Sequence, residues 1–300
     1  MPKANKVGFV GLGAMGMGMA TQLLKKGFQV AAVDTREEVK PRWTAAGGEW
    51  CESPADAAID ADVFVAMVVN AEQIESVLFS EKGAMKNLRP KSVIVATSTV
   101  SPAFSRALGK RLDEAGYLFI DAPVSGGVMG AESGGLSIMA SGSDEAFETA
   151  EPVLQAMAAK IYRIGAEPGL GSIVKTVNQL LAGSHIALAA EAMAFGTRAG
   201  VDPKVLFDVI SHSAGSSWMF NNRVPHMLTG DFTPLSAVNI FVKDLGIVLD
   251  VAHELRFPLP MAAIAHQLFL GAAAMGLGSQ DDASVVKLFE NLSGVSVAQG

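Results

Sequence analysis

Three short segments, distant from one another in the chain, carry residue types whose spacing suits chemistry on a nucleotide and a small acid. The first is Val10-Gly11-Leu12-Gly13-Ala14-Met15-Gly16, a G-x-G-x-x-G spacing between an apolar run and a helical pattern. In that setting Gly11 permits a tight turn, Gly13 lets the backbone approach a pyrophosphate, and Gly16 lets the helix pack on the strand. The helix start adds free N–H groups and a partial positive charge. The second is Asp121-Ala122-Pro123-Val124-Ser125-Gly126-Gly127. Pro123 fixes one φ, the paired glycines let N–H groups turn inward, and Ser125 adds a hydroxyl, a set suited to a carboxylate. An ordinary glycine turn fits the same residues. The third is Gly171-Ser172-Ile173-Val174-Lys175-Thr176-Val177-Asn178, with one lysine in an apolar helical pattern. Lys175 either snorkels to solvent or is partly desolvated, and desolvation moves an amine toward the pKa range useful for proton transfer. Asn178, at i+3 on the same face, can orient the lysine or a substrate. Together the segments describe an enzyme that moves a hydride between a nicotinamide and a small hydroxy acid.

The coenzyme end has further candidates. A second apolar run ends at Val33, which places Asp34 close to the ~20 residues beyond the glycines where such folds put an acidic residue. A carboxylate there accepts from the adenosine ribose hydroxyls and repels a 2′-phosphate, so Asp34, with Thr35 beside it, points to NAD rather than NADP. Arg36 is either a solvated helix-start residue or a bridge to a phosphate. Val68, Val69, Asn70, Thr97 and Ser98 end later strand-like runs, where open α/β sheets place ligand contacts.

The elements that must position these residues follow from periodicity. Short β-like runs at 6–10, 29–33, 62–68, 92–96, 117–121, 136–140 and 160–164 alternate with helical patterns at 14–26, 37–46, 71–79, 102–115 and 144–157. That alternation predicts a doubly wound, Rossmann-type parallel sheet. Pro41 is expected to delay the helix at 37–46. Beyond about residue 168 the strands stop, and 171–198 reads as one long helix, followed by helices at 203–212, 235–255, 260–274 and 283–290. The expected fold is therefore α/β over 1–166 and all-helical over 167–300, with a long helix at about 168–199 joining the two.

Composition agrees. At 300 residues the chain exceeds what one core usually organises. Half of it is hydrophobic, which suits buried parallel strands, close-packed helices and subunit contacts. A net charge of −7 argues against nucleic acid or an anionic membrane as partner. The charge-free run 257–280 has the length of a membrane span, but Pro258, Pro260, His266, Gln267 and several glycines favour a core helix. The single cysteine, Cys51, excludes an internal disulfide, and no histidine dyad marks it as a nucleophile. Residues 1–6 lead straight into a strand with no signal-peptide pattern, so the expectation is a cytoplasmic protein with no metal site.

In this order and spacing, the three segments resemble the β-hydroxyacid dehydrogenase family, which includes 3-hydroxyisobutyrate dehydrogenase and tartronate semialdehyde reductase. The likeness covers essentially the whole chain. The family's G-x-G-x-M-G-x-x-M-A appears at 11–20, its D-A-P-V-S-G-G at 121–127, its K-x-x-N at Lys175 and Asn178, and its K-D-L at Lys243-Asp244-Leu245. Many members pair two asparagines where this chain has Asn178-Gln179. The resemblance implies that Lys175 exchanges the proton, and that Ser125, Gly126 and Gly127 hold the substrate carboxylate with Asn178 nearby. It further implies that Lys243 closes the site beside the nicotinamide, that Asp244 buttresses it, and that the protein is a homodimer or homotetramer.

Within the family, the segment 217–227, with 236–244 and 256–260, resembles the branch that oxidises L-threonate. That branch implies NAD-dependent oxidation at C2 of a four-carbon aldonate, giving 2-dehydro-L-erythronate. Ser217, Asn221, Asn222 and Arg223 offer polar groups for a polyol chain; the same residues could instead cap backbone at a helix–loop corner. Alternatives are a 3-hydroxyisobutyrate dehydrogenase or tartronate semialdehyde reductase, and, more distantly, a dinucleotide-binding protein without catalysis. Lys175 argues against an imine reductase, and the helical half is short for a 6-phosphogluconate dehydrogenase-like enzyme.

Overall fold

The computed structural model describes residues 5–298, so the first four residues of the N-terminal stretch lie outside the described residues. The chain forms two compact units that divide in sequence after Lys175. The sequence places the change at 166/167, where the strands end; the division by contact falls later, inside the long helix Leu170–Arg198.

The first unit is built on one sheet. Its strands are β1 (Lys6–Val10), β2 (Gln29–Val33), β3 (Glu49–Trp50), β4 (Val63–Ala66), β5 (Val93–Ala96), β6 (Leu118–Asp121), β7 (Val124–Ser125), β8 (Leu136–Gly142) and β9 (Ala158–Gly165). The order β3-β2-β1-β4-β5-β6 is parallel throughout; β8 then runs antiparallel to β6 and pairs with β7 and β9. This is the doubly wound arrangement, with its reversal of strand order between β1 and β4 at the tip of the glycine motif.

Successive strand residues feed opposite faces. Val63, Val65, Val93 and Val95 join one buried cluster, and Phe64, Ala66, Ile94 and Ala96 the other. With both faces covered, these strands read as continuous apolar runs rather than as alternation.

The second unit is helical. Its core gathers Ile186, Ala190, Met193, Phe220, Val224, Phe241, Leu245 and Phe269. Two helical stretches, Leu170–Arg198 and Pro260–Leu277, are long and apolar enough to cross a membrane by length and composition alone. Within its own unit the second of them packs Ala262, Ala265, Phe269 and Ala272 into the core.

Several expected elements shift. The helix after the glycines starts at Gly16 and ends at Lys25, and β4 is shorter than the run 62–68. Pro41 acts as expected: a 3-10 turn at Glu37–Val39 precedes the helix Lys40–Ala45, with the proline in its first turn. Residues 121–127 are not one irregular loop. Val124 and Ser125 pair with Ile138 and Ser137, and a helix, Gly127–Ser133, begins at the second glycine. The segment read as a helix–loop corner is the helix Trp218–Thr229. Ser217 caps it, and Met219, Phe220, Arg223, Val224 and Met227 form its buried face. Pro225 and the polar run before it interrupt the apolar period and hide that face in the sequence.

Candidate active site

The nucleotide end is shaped by what the glycines leave out. Gly11 has φ +96°, and a Cβ there would lie 2.1 Å from the Met67 carbonyl oxygen. A Cβ on Gly16 would lie 1.8 Å from the Gly11 carbonyl oxygen, so the turn closes only without side chains. Gly13 differs: its missing Cβ faces space whose nearest neighbour is Arg36 Nη2 at 3.5 Å. That opening at the start of the helix Gly16–Lys25 fits a pyrophosphate. Leu12 is buried, Ala14 exposed and Met15 half-buried.

Asp34, at the end of β2, accepts from Leu12 N–H at 2.7 Å and from Arg36 N–H at 2.8 Å. The Arg36 guanidinium grips both carboxylate oxygens, at 3.1 and 3.3 Å. Partial burial works to raise the Asp34 pKa, but these hydrogen bonds and the guanidinium charge outweigh it and hold the carboxyl below its ordinary range. Arg36 stands at the start of the 3-10 turn Glu37–Val39 with an exposed side chain, as one of the two sequence readings has it, and is also the partner of Asp34. Thr35 is exposed.

The later strand ends are mainly occupied by their own structure. Thr97 is buried, and its hydroxyl donates to the Ala66 carbonyl at 3.1 Å. Val68 N–H donates to Ser98 Oγ, Val69 N–H donates to Gln73 Oε1, and Asn70 caps the helix Ala71–Phe79.

The acid-binding candidates meet the lysine. Gly126 and Gly127 adopt φ +129° and +64°, conformations that disfavour any side chain. Pairing with β8 fixes Ser125 beside them. Lys175 does not snorkel: it is only 7% exposed, and its Nζ donates to the Val124 carbonyl at 2.8 Å, one residue before Ser125. The amine and the serine–glycine–glycine turn are therefore neighbours.

One residue escaped sequence reasoning. Asp121 is fully buried and accepts from Ser172 N–H at 2.8 Å, Ser172 Oγ at 2.7 Å, Gly169 N–H at 3.0 Å and Ser105 Oγ at 3.2 Å. It ties the first turn of the lysine helix to the strand that leads into the Ser125 turn. Burial raises its pKa, and the hydrogen bonds from Ser172, Ser105 and Gly169 offset only part of that. Gly171 allows the close approach, since a Cβ would lie 2.3 Å from the Met139 carbonyl oxygen. The aspartate stood in the quoted motif, but its partners are scattered along the sequence and no spacing signals them.

Two polar groupings lie in the helical unit. Asn178 is half-buried and donates from Nδ2 to Gln179 Oε1 at 2.9 Å; Gln179 Nε2 donates to Asp244, which also accepts from Lys243 Nζ. Arg223 is buried against the fully buried Asp282, through Nε and Nη2, and donates from Nη1 to Asn222 Oδ1. Desolvation pushes the Asp282 carboxyl up to about 6 in spite of the Arg223 charge. Ser217 caps its helix, and Asn221 accepts from Ser216 Oγ. Of the polar cluster expected to meet a polyol, Ser217 and Asn222 are half-buried, Asn221 is exposed and Arg223 is buried, and each has a hydrogen-bond partner within the helical unit.

Cys51 is buried, and burial followed by the nearby Glu49 and Asp56 charges pushes its thiol up to about 11. Such a thiol is a packing residue, since the thiolate is the nucleophile.

Comparison with known proteins shows what the whole chain is similar to. Residues 6–165 match the NAD binding domain of 6-phosphogluconate dehydrogenase. Residues 169–289 match the NAD-binding domain of NADP-dependent 3-hydroxyisobutyrate dehydrogenase. The chain is 55% identical to the L-threonate dehydrogenase of Cupriavidus necator, over 96% of this chain and 97% of that one. It is 46% identical to the L-threonate dehydrogenase of Escherichia coli K12, over 96% and 95%. A crystal structure of 3-hydroxyisobutyrate dehydrogenase from Salmonella typhimurium superposes with a TM-score of 0.90 at 45% identity, covering 95% of this chain and 99% of the other.

Proposed function

We propose that this chain, which belongs to the 3-hydroxyisobutyrate dehydrogenase-like family of NAD(P)-dependent hydroxyacid dehydrogenases, oxidises L-threonate at C2 with NAD as acceptor. The observation that carries the catalytic part of this reading is the buried Lys175 amine beside the Ser125–Gly126–Gly127 turn. The substrate follows from the L-threonate dehydrogenases to which the chain is similar over nearly its full length.

In this reading the Ser125 hydroxyl and the backbone of Gly126 and Gly127 hold the substrate carboxylate. The Lys175 amine takes the proton of the C2 hydroxyl as the carbinol carbon is oxidised. Asn178 and Asn222 receive the hydroxyls further along the chain, and Lys243, buttressed by Asp244, closes the site beside the coenzyme. When bound, the nicotinamide supplies the hydride acceptor. The protein's own contribution is alignment and a base positioned within reach of the proton. A homodimer or homotetramer in the cytoplasm belongs to the same reading, supported by the apolar Phe195, Leu255 and Phe257 exposed on the helical unit.

The substrate is tested by following NADH formation at 340 nm with L-threonate, D-erythronate, D-glycerate, L-serine and 3-hydroxyisobutyrate. Highest kcat/KM with L-threonate is the expected result; faster turnover of another acid would overturn the substrate while keeping the enzyme class.

The preference for NAD rests on Asp34, whose buried-edge carboxylate repels a 2′-phosphate. Asp34→Ala should lower the NAD to NADP ratio of kcat/KM by about tenfold or more, the size of losing a charged hydrogen-bond acceptor. The variant also releases Arg36, which gives a 2′-phosphate a cation to meet. An unchanged ratio would remove Asp34 from coenzyme choice.

A further inference from the structure

Asn178 is followed by Gln179, and the side chain of Gln179 occupies a defined place in the helical unit. It is only 7% exposed, and both ends of its amide are engaged: Nε2 donates to Asp244 Oδ2, and Oε1 accepts from Asn178 Nδ2. Asp244 is itself buried, and its other oxygen accepts from Lys243 Nζ.

A carboxylate only accepts, so the row has a direction. Asp244 requires the NH2 end of Gln179. Gln179 must then turn its carbonyl to Asn178, and Asn178 must answer with its own NH2. Reversing either amide would set oxygen against oxygen or NH2 against NH2 at the buried Gln179, where an unmade hydrogen bond is costly. The extra methylene of glutamine over asparagine is what carries the amide to Asp244.

We propose that Gln179 is a positioning residue that fixes the polarity of Asn178, so that Asn178 presents its carbonyl oxygen as an acceptor for a substrate hydroxyl. An acceptor at this point selects acids with a hydroxyl besides the one being oxidised. The inference rests on Asn178 facing the hydroxy acid, as in the reading above.

The test is a double-mutant cycle in the full-length enzyme, run with whichever of L-threonate, D-erythronate and D-glycerate, the panel acids with a second hydroxyl, the wild type oxidises fastest. The wild-type panel alone decides whether that acid is L-threonate, so the two readings fail separately. Gln179→Met and Gln179→Ala are each made in the wild type and in Asn178→Ala, and melting curves identify the folded variant to use. The expected result is a loss of about tenfold in kcat/KM for the acid in the wild-type background, less than about twofold in Asn178→Ala, and an NADH Kd unchanged within about twofold. Equal losses in both backgrounds, or a parallel loss of NADH affinity, would overturn the proposal. A purely structural role for Gln179 gives the first of those patterns, because packing losses do not depend on what Asn178 offers a substrate.

Discussion

Lys175→Ala should lower kcat for hydroxy-acid oxidation by a factor of the order of 10² to 10⁴, the range of a lost general base, while NADH binding stays close to wild type. The reason is placement. The amine is buried, its Nζ is held 2.8 Å from the Val124 carbonyl, and the next residues are the serine and glycines proposed to hold the carboxylate. The glycine motif and Asp34, proposed to serve the coenzyme, belong to other segments of the chain, so their function should survive. Lys175→Arg is the sharper control: it keeps a cation and a long stem, but a guanidinium cannot give up its proton. Both variants should be inactive to a similar degree. Near-normal turnover in either would remove Lys175 as the base.

The second large effect concerns the helical unit. Asp282→Ala should cost about 3–5 kcal/mol of unfolding free energy, the usual penalty for leaving one member of a buried ion pair alone. Arg223 would keep its charge in a buried position without the carboxylate that grips its Nε and Nη2. The pair has a pH signature as well. The folded-state Asp282 carboxyl lies near 6, above its ordinary value of 3.8, because desolvation exceeds the attraction of Arg223. Between those two values the native state keeps a proton that the unfolded chain has released. The contribution of this group to stability therefore falls as pH rises through that window and is level above about pH 6. Denaturant unfolding of wild type and Asp282→Asn at several pH values should show a steeper fall across that window in the first than in the second. A cost below about 1 kcal/mol for Asp282→Ala, or the same slope in both proteins, would contradict the argument.

Much of the first unit was legible because its physics is local. Strands buried on both faces are continuous apolar runs, and β1 and β2 have the expected limits. The glycine motif is a property of seven consecutive residues, and so is the turn at Gly126 and Gly127. What stayed hidden depends on partners far along the chain. Asp121 is a buried cap for the lysine helix only because Ser105 and Ser172 converge on it. Gln179 looked like a departure until Asp244, 65 residues on, supplied the acceptor for its amide. Arg223 seemed available to a substrate, and the sequence carries no sign that Asp282 takes it inside. The helices Gly127–Ser133 and Trp218–Thr229 were missed for a different reason: glycines in one and Pro225 in the other are poor helix formers that tertiary packing overrides.

The most direct test of the central claim is transfer of label from L-threonate carrying deuterium at C2, incubated with the enzyme and NAD. The account predicts NADH that carries the deuterium, formed together with 2-dehydro-L-erythronate. NADH without the label, or no NADH from L-threonate while another acid of the panel is oxidised, would contradict it.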